Sequence, residues 1–374
     1  MNLLMISGDR SVLSGKRGAF WYTLEAFSKH WGRIDIICPY VDIDTSNPDT
    51  LTFFGNVHFH PSPQKSLWSQ PAWILKKGMQ LHALFHHNVM TVHEYPPFYN
   101  GIGARKLLKR MKIGSVLELH HLVGYPDPAS LTERIGRMLS RLYLPFEIRS
   151  FDVVRTVSKP AAERLLSWKV QKSKVSVVPS FYLDHQVFAA LQQPAKKQYD
   201  VAFCGRLVEN KGLDTLLRAI AKRPRITLLV IGDGPERKRC EELARQLDIS
   251  ERVEFRGWLA EQDDVLRTLM NAKVFVMNSL SEGGPRIALE AMACGLPVVV
   301  TKVGVMPDVI EDGKSGLFTS GTPDNLIVMI ERLLQDEALR IQMGQEAKGV
   351  LQRFEREKLI ANYARFLQSV GTNG

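Results

Sequence analysis

Short β-rich apolar runs alternate with helical stretches along this chain; the alternation breaks off after Val178 and starts again at Asp200. Residues 3–7, 34–38, 88–93, 115–119, 153–157 and 175–178 read as strands, with helices over 19–31, 103–111, 131–149 and 160–168 between them. The second round has strands over 201–204, 227–231, 253–255, 272–277 and 297–301 and helices over 212–222, 235–247, 263–270, 285–293 and 322–335. Strands joined through helices run parallel, because each return needs a crossover. The expected class is therefore α/β, with two Rossmann-like, doubly wound parallel-sheet domains. Residues 1–180 form the amino-terminal domain and 200–354 the carboxyl-terminal one. Between them, 181–199 carry Pro194 and a polar QQPAKKQ tract and read as a linker. A last amphipathic helix, read over 355–370 within the terminal segment 355–374, has Leu359, Tyr363, Phe366 and Leu367 on one face.

A chain of 374 residues suits two cores of this kind. No charge-free apolar stretch has the length to span a bilayer, and the opening MNLLMISGDR lacks a signal-peptide pattern. The four cysteines, Cys38, Cys204, Cys240 and Cys294, are scattered and read as free thiols in a reducing cytoplasm. Residues 1–180 hold 23 Lys+Arg against 13 Asp+Glu; subtracting these from totals of 49 and 39 leaves 26 of each for residues 181–374. The whole excess of +10 thus lies in the amino-terminal half, where it attracts anionic partners. It concentrates at Arg105, Lys106, Lys109, Arg110 and Lys112, and again at Arg134, Arg137 and Arg141 beside Leu139, Leu142 and Tyr143. Basic residues with apolar companions suggest peripheral contact with an anionic membrane. No nucleic-acid reading motif accompanies them, and nucleic acid is not an expected partner.

The chemistry concentrates in residues 281–300, SEGGPRIALEAMACGLPVVV. A strand ends in a turn holding Glu282, and a helix opens at Gly283-Gly284-Pro285, with Pro285 at its first position. Glu290 follows eight positions after Glu282, and Cys294-Gly295-Leu296-Pro297 stops the helix. The unpaired N–H groups of a first helical turn, with the dipole behind them, receive an anion. Two flanking acids would accept from hydroxyls, as a sugar phosphate requires. Taken alone, Gly-Gly-Pro is an ordinary turn. A second loop, Gly205-Arg206-Leu207-Val208-Glu209-Asn210-Lys211-Gly212, follows the strand 201–204 and could offer Arg206 and Lys211 to a diphosphate; taken alone it reads as readily as a solvated loop closing a helix entry.

With these two motifs the chain resembles the GT-B glycosyltransferases, specifically the retaining family 4. The resemblance rests on Glu282 and Glu290 followed by AMACGLPVVV, and on the GRL-x-x-x-KG loop. It implies a donor that is a nucleotide diphosphate sugar, such as a UDP- or GDP-sugar, and no cofactor or metal. By the resemblance Arg206 and Lys211 hold the donor's phosphates and Glu290 the ribose. Glu282, with the amides of Gly283 and Gly284, holds the transferred sugar. Gly232-Asp233-Gly234-Pro235 resembles a structural turn of that family and lacks the third glycine of a dinucleotide fingerprint. Residues 254–259 match more loosely the loop beside the nucleobase. The terminal helix is expected to cross back onto the amino-terminal domain, and donor and acceptor to meet between the domains.

In the amino-terminal half, Ser14-Gly15-Lys16-Arg17-Gly18 opens a helix after the first strand, where Gly15 and Gly18 permit backbone approach to a phosphate. The family usually carries adjacent glycines here. The resemblance also places a histidine beside the reacting sugar, with His120 preferred and His121 the alternative. A metal at this His pair would need further ligands, and the sequence offers none nearby. His58, His60, His86 and His87 read as structural. Asp42-Ile43-Asp44 imitates a metal-binding D-x-D but lies in a polar loop and reads as a solvated turn. Two departures from the family stand out: Pro179-Ser180-Phe181 replaces its Pro-Asn-Gly, and Gly304-Val305-Met306-Pro307-Asp308 replaces its Gly-Gly-x-x-Glu. The expectation is a cytoplasmic, metal-independent retaining transferase. It would work at the inner face of a membrane on a lipid-linked or cell-envelope glycan hydroxyl. A nucleotide-sugar epimerase of the same fold and a non-catalytic anion-binding protein are the alternatives.

Overall fold

A computed structural model describes residues 1–15, 17–43 and 51–372 and divides into two compact units. Unit 1 comprises residues 1–121, 138–180 and 357–374, and unit 2 comprises 122–137 and 181–356.

In unit 1 the chain runs β1 (Asn2–Ile6), α1 (Ala19–Ser28), β2 (Arg33–Cys38), β3 (Thr52–Phe53), β4 (Val57–Pro61), α2 (Gln70–Phe85) and β5 (Val89–His93). It continues through α3 (Tyr99–Leu108), β6 (Gly114–Leu119), α4 (Leu131–Ile148, in unit 1 from residue 138 onward), β7 (Val153–Thr156), α5 (Lys159–Ser167) and β8 (Val175–Val177). The sheet order is β3-β4-β2-β1-β5-β6-β7-β8, parallel except for the β3–β4 pair. Central strands such as β1 are buried on both faces, which is why they read as continuous apolar runs. Helix starts are capped locally: Ser158 precedes Pro160 and accepts from the Ala161 N–H, 3.4 Å away, to start α5.

Unit 2 begins with α6 (His185–Ala189), β9 (Tyr199–Cys204), α7 (Leu213–Ala221), β10 (Leu228–Ile231), α8 (Arg237–Gln246), β11 (Val253–Gly257) and α9 (Gln262–Leu269). Then come β12 (Ala272–Met277), α10 (Arg286–Ala293), β13 (Val298–Val300), α11 (Met306–Val309), β14 (Leu317–Phe318), α12 (Pro323–Gln335), α13 (Glu337–Ala347) and α14 (Val350–Arg353). The sheet order is β11-β10-β9-β12-β13-β14, all parallel. Its core packs Val201, Phe203, Leu216, Leu217, Val274 and Val276 with Ile330 and Met343. The final helix, α15 (Arg356–Thr372), lies in unit 1 from residue 357 onward, where Tyr363 stacks on Phe27 at 5.1 Å.

Several sequence expectations change here. Residues 122–137 group with unit 2, away from the amino-terminal body expected to hold all of 1–180. Their backbone is tied there, with Pro126 bridging Ser281 and the Asp127 N–H donating to the Leu280 carbonyl at 3.2 Å. The expected linker 181–199 also belongs to unit 2 and carries α6, started by the Asp184 side chain capping Gln186 at 3.0 Å. Pro285 stands one position before α10, as its cap. Asp44 and Lys16 lie outside the described residues.

Candidate functional site

In a doubly wound sheet, loops diverge where the strand order reverses, and a crevice opens at the carboxyl ends of the strands there. In unit 2 that point is between β9 and β12. The loops leaving these two strands are the Arg206–Lys211 loop and the turn carrying Glu282, so topology brings the two sequence motifs together.

Two hydrogen bonds strap the loops to each other. The Leu280 N–H donates to the Asn210 carbonyl at 2.9 Å, and the Asn210 side-chain amide donates to the Ser281 carbonyl at 2.8 Å. Lys211 Nζ then forms an ion pair with Glu282 Oε1, both side chains being mostly buried. The close approach depends on Gly212: its φ is +64°, and a Cβ there would stand 2.3 Å from the Asn278 carbonyl oxygen. Arg206 is exposed on the same loop. Gly283 and Gly284 are partly buried and Pro285 is buried. A Cβ on Gly284 would run into the Phe181 ring, 1.4 Å from its nearest atom.

Glu290 sits on α10, 6% exposed. Its Oε1 accepts from Arg286 Nε at 2.8 Å and from Gln262 Nε2, on α9, at 2.7 Å. Burial raises its carboxyl above the ordinary range, and the Arg286 charge pulls it part of the way back. Neighbouring Cys204 has a thiol pushed up to about 12 by burial and then by the Glu290 charge, with Lys211 opposing. The Gly232–Pro235 turn is structural: the Leu207 N–H donates to the Asp233 carbonyl at 2.9 Å. Trp258, just past β11, is 72% exposed.

In unit 1 the strand order reverses between β1 and β5. Gly15 has φ +72° and Gly18 caps α1, and a Cβ at either would meet open space. Across the same sheet edge, His120 follows β6 and its Nε2 donates to Glu118 Oε2 at 2.9 Å. Glu118 is fully buried and also receives Arg155 Nη1 at 2.6 Å, Thr91 Oγ1 and Tyr363 OH. Burial would raise this carboxyl, but the Arg155 charge and then the His120 hydrogen bond hold it well below the usual range. His93 Nε2 is 3.7 Å from Glu118 Oε2, its Nδ1 meets Ser7 Oγ at 3.2 Å, and burial lowers it to about 4. The ligand atoms of His93, Glu118 and His120 lie within 4.8 Å of one another. The sequence reading saw no further metal ligands near His120; the fold supplies two, although Arg155 already occupies the shared carboxylate oxygen. His60 and His87 both bond the buried Asp35, at 2.7 and 2.9 Å, which makes them structural. Asp42 accepts from Tyr40 OH at 3.1 Å.

The basic surface is redistributed. Arg105 stacks on Phe146 at 4.9 Å, and Arg137 donates to the Pro126 carbonyl at 3.1 Å and covers the Tyr125 ring at 4.3 Å. Neither is a free surface charge. On α4, Leu131, Ile135, Met138, Leu139, Leu142 and Phe146 are exposed, at spacings that keep them on one helical stripe, alongside exposed Arg134 and Arg141. Among the described residues no helix is long and apolar enough to cross a membrane.

Asn210, Gln262, Arg286, Glu118 and Arg155 were missed by the sequence reading. A charge inside an apolar strand, as in VLEL or VVRT, signals a paired buried ion and would have pointed to the last two.

A model of the family described as Glycosyl transferases group 1 matches residues 187–350. The chain is 34% identical over 244 residues to the lipopolysaccharide core biosynthesis glycosyltransferase LpsE of Rhizobium meliloti, covering 63% of this chain and 69% of that protein. It is 26% identical over 317 residues to the N-acetyl-alpha-D-glucosaminyl L-malate synthase of Bacillus anthracis, covering 74% and 80%. Sucrose-phosphate synthase from Thermosynechococcus elongatus has the same fold, with TM-score 0.80 and 21% identity over 100% of both chains. So has Anabaena HepE in complex with UDP and glucose, with TM-score 0.73 and 19% identity over 99% of this chain and 100% of that one. The fold is GT-B, two parallel-sheet α/β domains.

Proposed function

The chain belongs to the glycosyl transferases group 1 family, and from that membership we propose that unit 2 binds a nucleotide diphosphate sugar whose sugar passes to a hydroxyl of a lipid-linked or cell-envelope glycan. It is a retaining glycosyltransferase that uses a nucleotide-sugar donor. The observation that carries the assignment of residues is the Lys211–Glu282 pair at the strand-order reversal, where a cation for phosphate and an acceptor for sugar hydroxyls stand side by side. Arg206 and Lys211 neutralise the diphosphate as it leaves, which is where negative charge grows in the transition state. Glu282 and the amides of Gly283 and Gly284 hold the sugar, with Pro285 fixing the turn. Glu290 accepts from the ribose hydroxyls, and Trp258 borders the nucleobase. His120 meets the reacting sugar, and Gly15 and Gly18 give their backbone to the acceptor side. The C1–O bond to the diphosphate breaks as the new C1–O bond forms on the same face, and a β-phosphate oxygen takes the acceptor's proton. This reading assigns no metal to the reaction.

The α4 stripe supports a cytoplasmic enzyme resting on the inner face of an anionic membrane. Its leucines and Phe146 are exposed, as side chains that enter an apolar phase must be, and the flanking arginines match anionic headgroups. The relative LpsE is named for lipopolysaccharide core biosynthesis, which is consistent with an envelope acceptor.

One screen tests the function: incubate the protein with a panel of nucleotide sugars, UDP-sugars first in view of the HepE complex, and measure nucleotide release with and without cell lipid extract. Acceptor-dependent release supports the transferase. Conversion of donor without acceptor would assign an epimerase, and no release from any donor would assign an anion-binding protein.

A further inference from the structure

Glu118 has no part in the reading above, yet side chains of four other residues of unit 1 engage both of its oxygens. Oε1 accepts from Thr91 Oγ1 on β5 and Tyr363 OH on α15; Oε2 accepts from Arg155 Nη1 on β7 and His120 Nε2. Arg155 is itself fixed, donating from Nε to the Val178 carbonyl at 3.0 Å and from Nη2 to the Pro179 carbonyl at 2.8 Å, with its guanidinium 3.9 Å over the Tyr363 ring. A carboxylate held on both oxygens by neighbouring strands and a returning helix cannot rotate to follow a mobile partner. Of its four partners, only His120 is substantially exposed, at 44% of its side chain.

We propose that Glu118 is the positioning residue of His120. It binds the Nε2–H, fixes that tautomer and ring orientation, and leaves Nδ1 as the nitrogen that meets substrate. The proposal rests on the assignment of His120 to the reacting sugar. The physical logic is that of any histidine whose second nitrogen is oriented by a carboxylate: the bond selects the tautomer and removes the cost of ordering the ring at the moment of reaction. Arg155 keeps the carboxylate ionised, so the acceptor for Nε2–H is always present. The same guanidinium disfavours the rival use of His93, Glu118 and His120 as a metal cage, because a cation there would face a fixed positive charge across the shared oxygen.

The test combines a double-mutant cycle with a spectroscopic readout. Glu118→Gln should lower kcat by about tenfold or more with little change in donor KM, and should add nothing to the loss in a His120→Gln background. A merely structural glutamate gives additive losses that follow the fall in thermal midpoint, and that result overturns the proposal. Long-range ¹H–¹⁵N spectra of the wild-type protein need no folded Glu118 variant. With the His120 signals identified by their loss in His120→Gln, they should show protonated Nε2 and unprotonated Nδ1 wherever the ring is neutral. The opposite tautomer, or an average of both, also overturns it. Should His120→Gln keep full turnover, the role given to His120 fails, while the spectra still decide whether Glu118 sets its tautomer.

Discussion

Lys211 and Glu282, 71 positions apart in sequence, form an ion pair across the loops leaving β9 and β12. Each belongs to a different motif, and neither motif predicts the other's position. The pair gives Lys211 an anionic neighbour, and on the proposed assignment the donor's diphosphate would share that cation. Lys211→Ala should therefore remove phosphate stabilisation and leave Glu282 without its cation. Nucleotide-release assays should show kcat reduced by about tenfold or more, or ~1.4 kcal/mol of transition-state stabilisation. Near-wild-type turnover would remove Lys211 from the mechanism.

Glu290 is braced on one oxygen by Arg286 and Gln262, and the proposed function gives the other to a ribose hydroxyl. Glu290→Ala should cut turnover by an order of magnitude or more, about 1.4 kcal/mol. Gln262→Ala should act more gently, raising donor KM by a few fold with kcat nearly intact. Steady-state kinetics against donor concentration distinguish the two patterns, and equal KM values in wild type and both variants would contradict the ribose contact.

Gly212→Ala places a Cβ in a left-handed backbone and 2.3 Å from the Asn278 carbonyl. The strap between the loops must open to admit it. A loss of about 1–3 kcal/mol in urea unfolding is expected, together with lost turnover. A variant as stable as wild type would mean that the loops tolerate separation.

Three buried groups, a carboxylate pair and a histidine, set opposite limits on stability against pH. Burial raises Glu94 well above ordinary carboxylate values, with the Glu147 charge adding to this, and raises Glu147 to about 7. Their folded-state affinity for protons exceeds the unfolded one; the contribution of Glu147 is full below about 4.5 and is lost as pH rises through about 7, and Glu94 acts in the same direction. His93 runs the other way: burial lowers it from 6.5 to about 4, so its contribution is full above 6.5 and is lost as pH falls through about 4. Glu147→Gln should flatten the alkaline decline in thermal midpoint and leave the acid limb alone. An unchanged alkaline slope would acquit the carboxylate pair.

The α4 stripe predicts flotation with anionic liposomes at low salt, weakened as salt screens the arginines. Leu142→Glu paired with Ile135→Glu places two charges on the stripe and should abolish flotation without lowering the thermal midpoint, because both side chains are exposed. Binding that survives this double change would move the contact elsewhere.

The fold class was legible because parallel strands buried on both faces leave unmistakable apolar runs: LLVI in β10 and VVV in β13 admit little else. Arg206, Lys211, Glu282 and Glu290 were legible as two local motifs, since glycine, proline and charge at fixed spacing report a loop's own geometry. Other features depend on partners distant in sequence. Phe181, where the chain departs from its family, fills the space over Gly284. Arg105 and Arg137, read as surface charge, are drawn onto aromatic rings.

By itself the sequence determined which segments become strands and helices, and which loops carry cations, acids and glycines, because those properties follow from neighbours within a few residues. Only the tertiary structure decided which side chains meet: Lys211 with Glu282, Gln262 with Glu290, and Glu118 with His120, Arg155 and Tyr363. The reason is physical. Strand order in a doubly wound sheet is fixed by packing the whole domain, and a buried charge takes whatever partner that packing delivers.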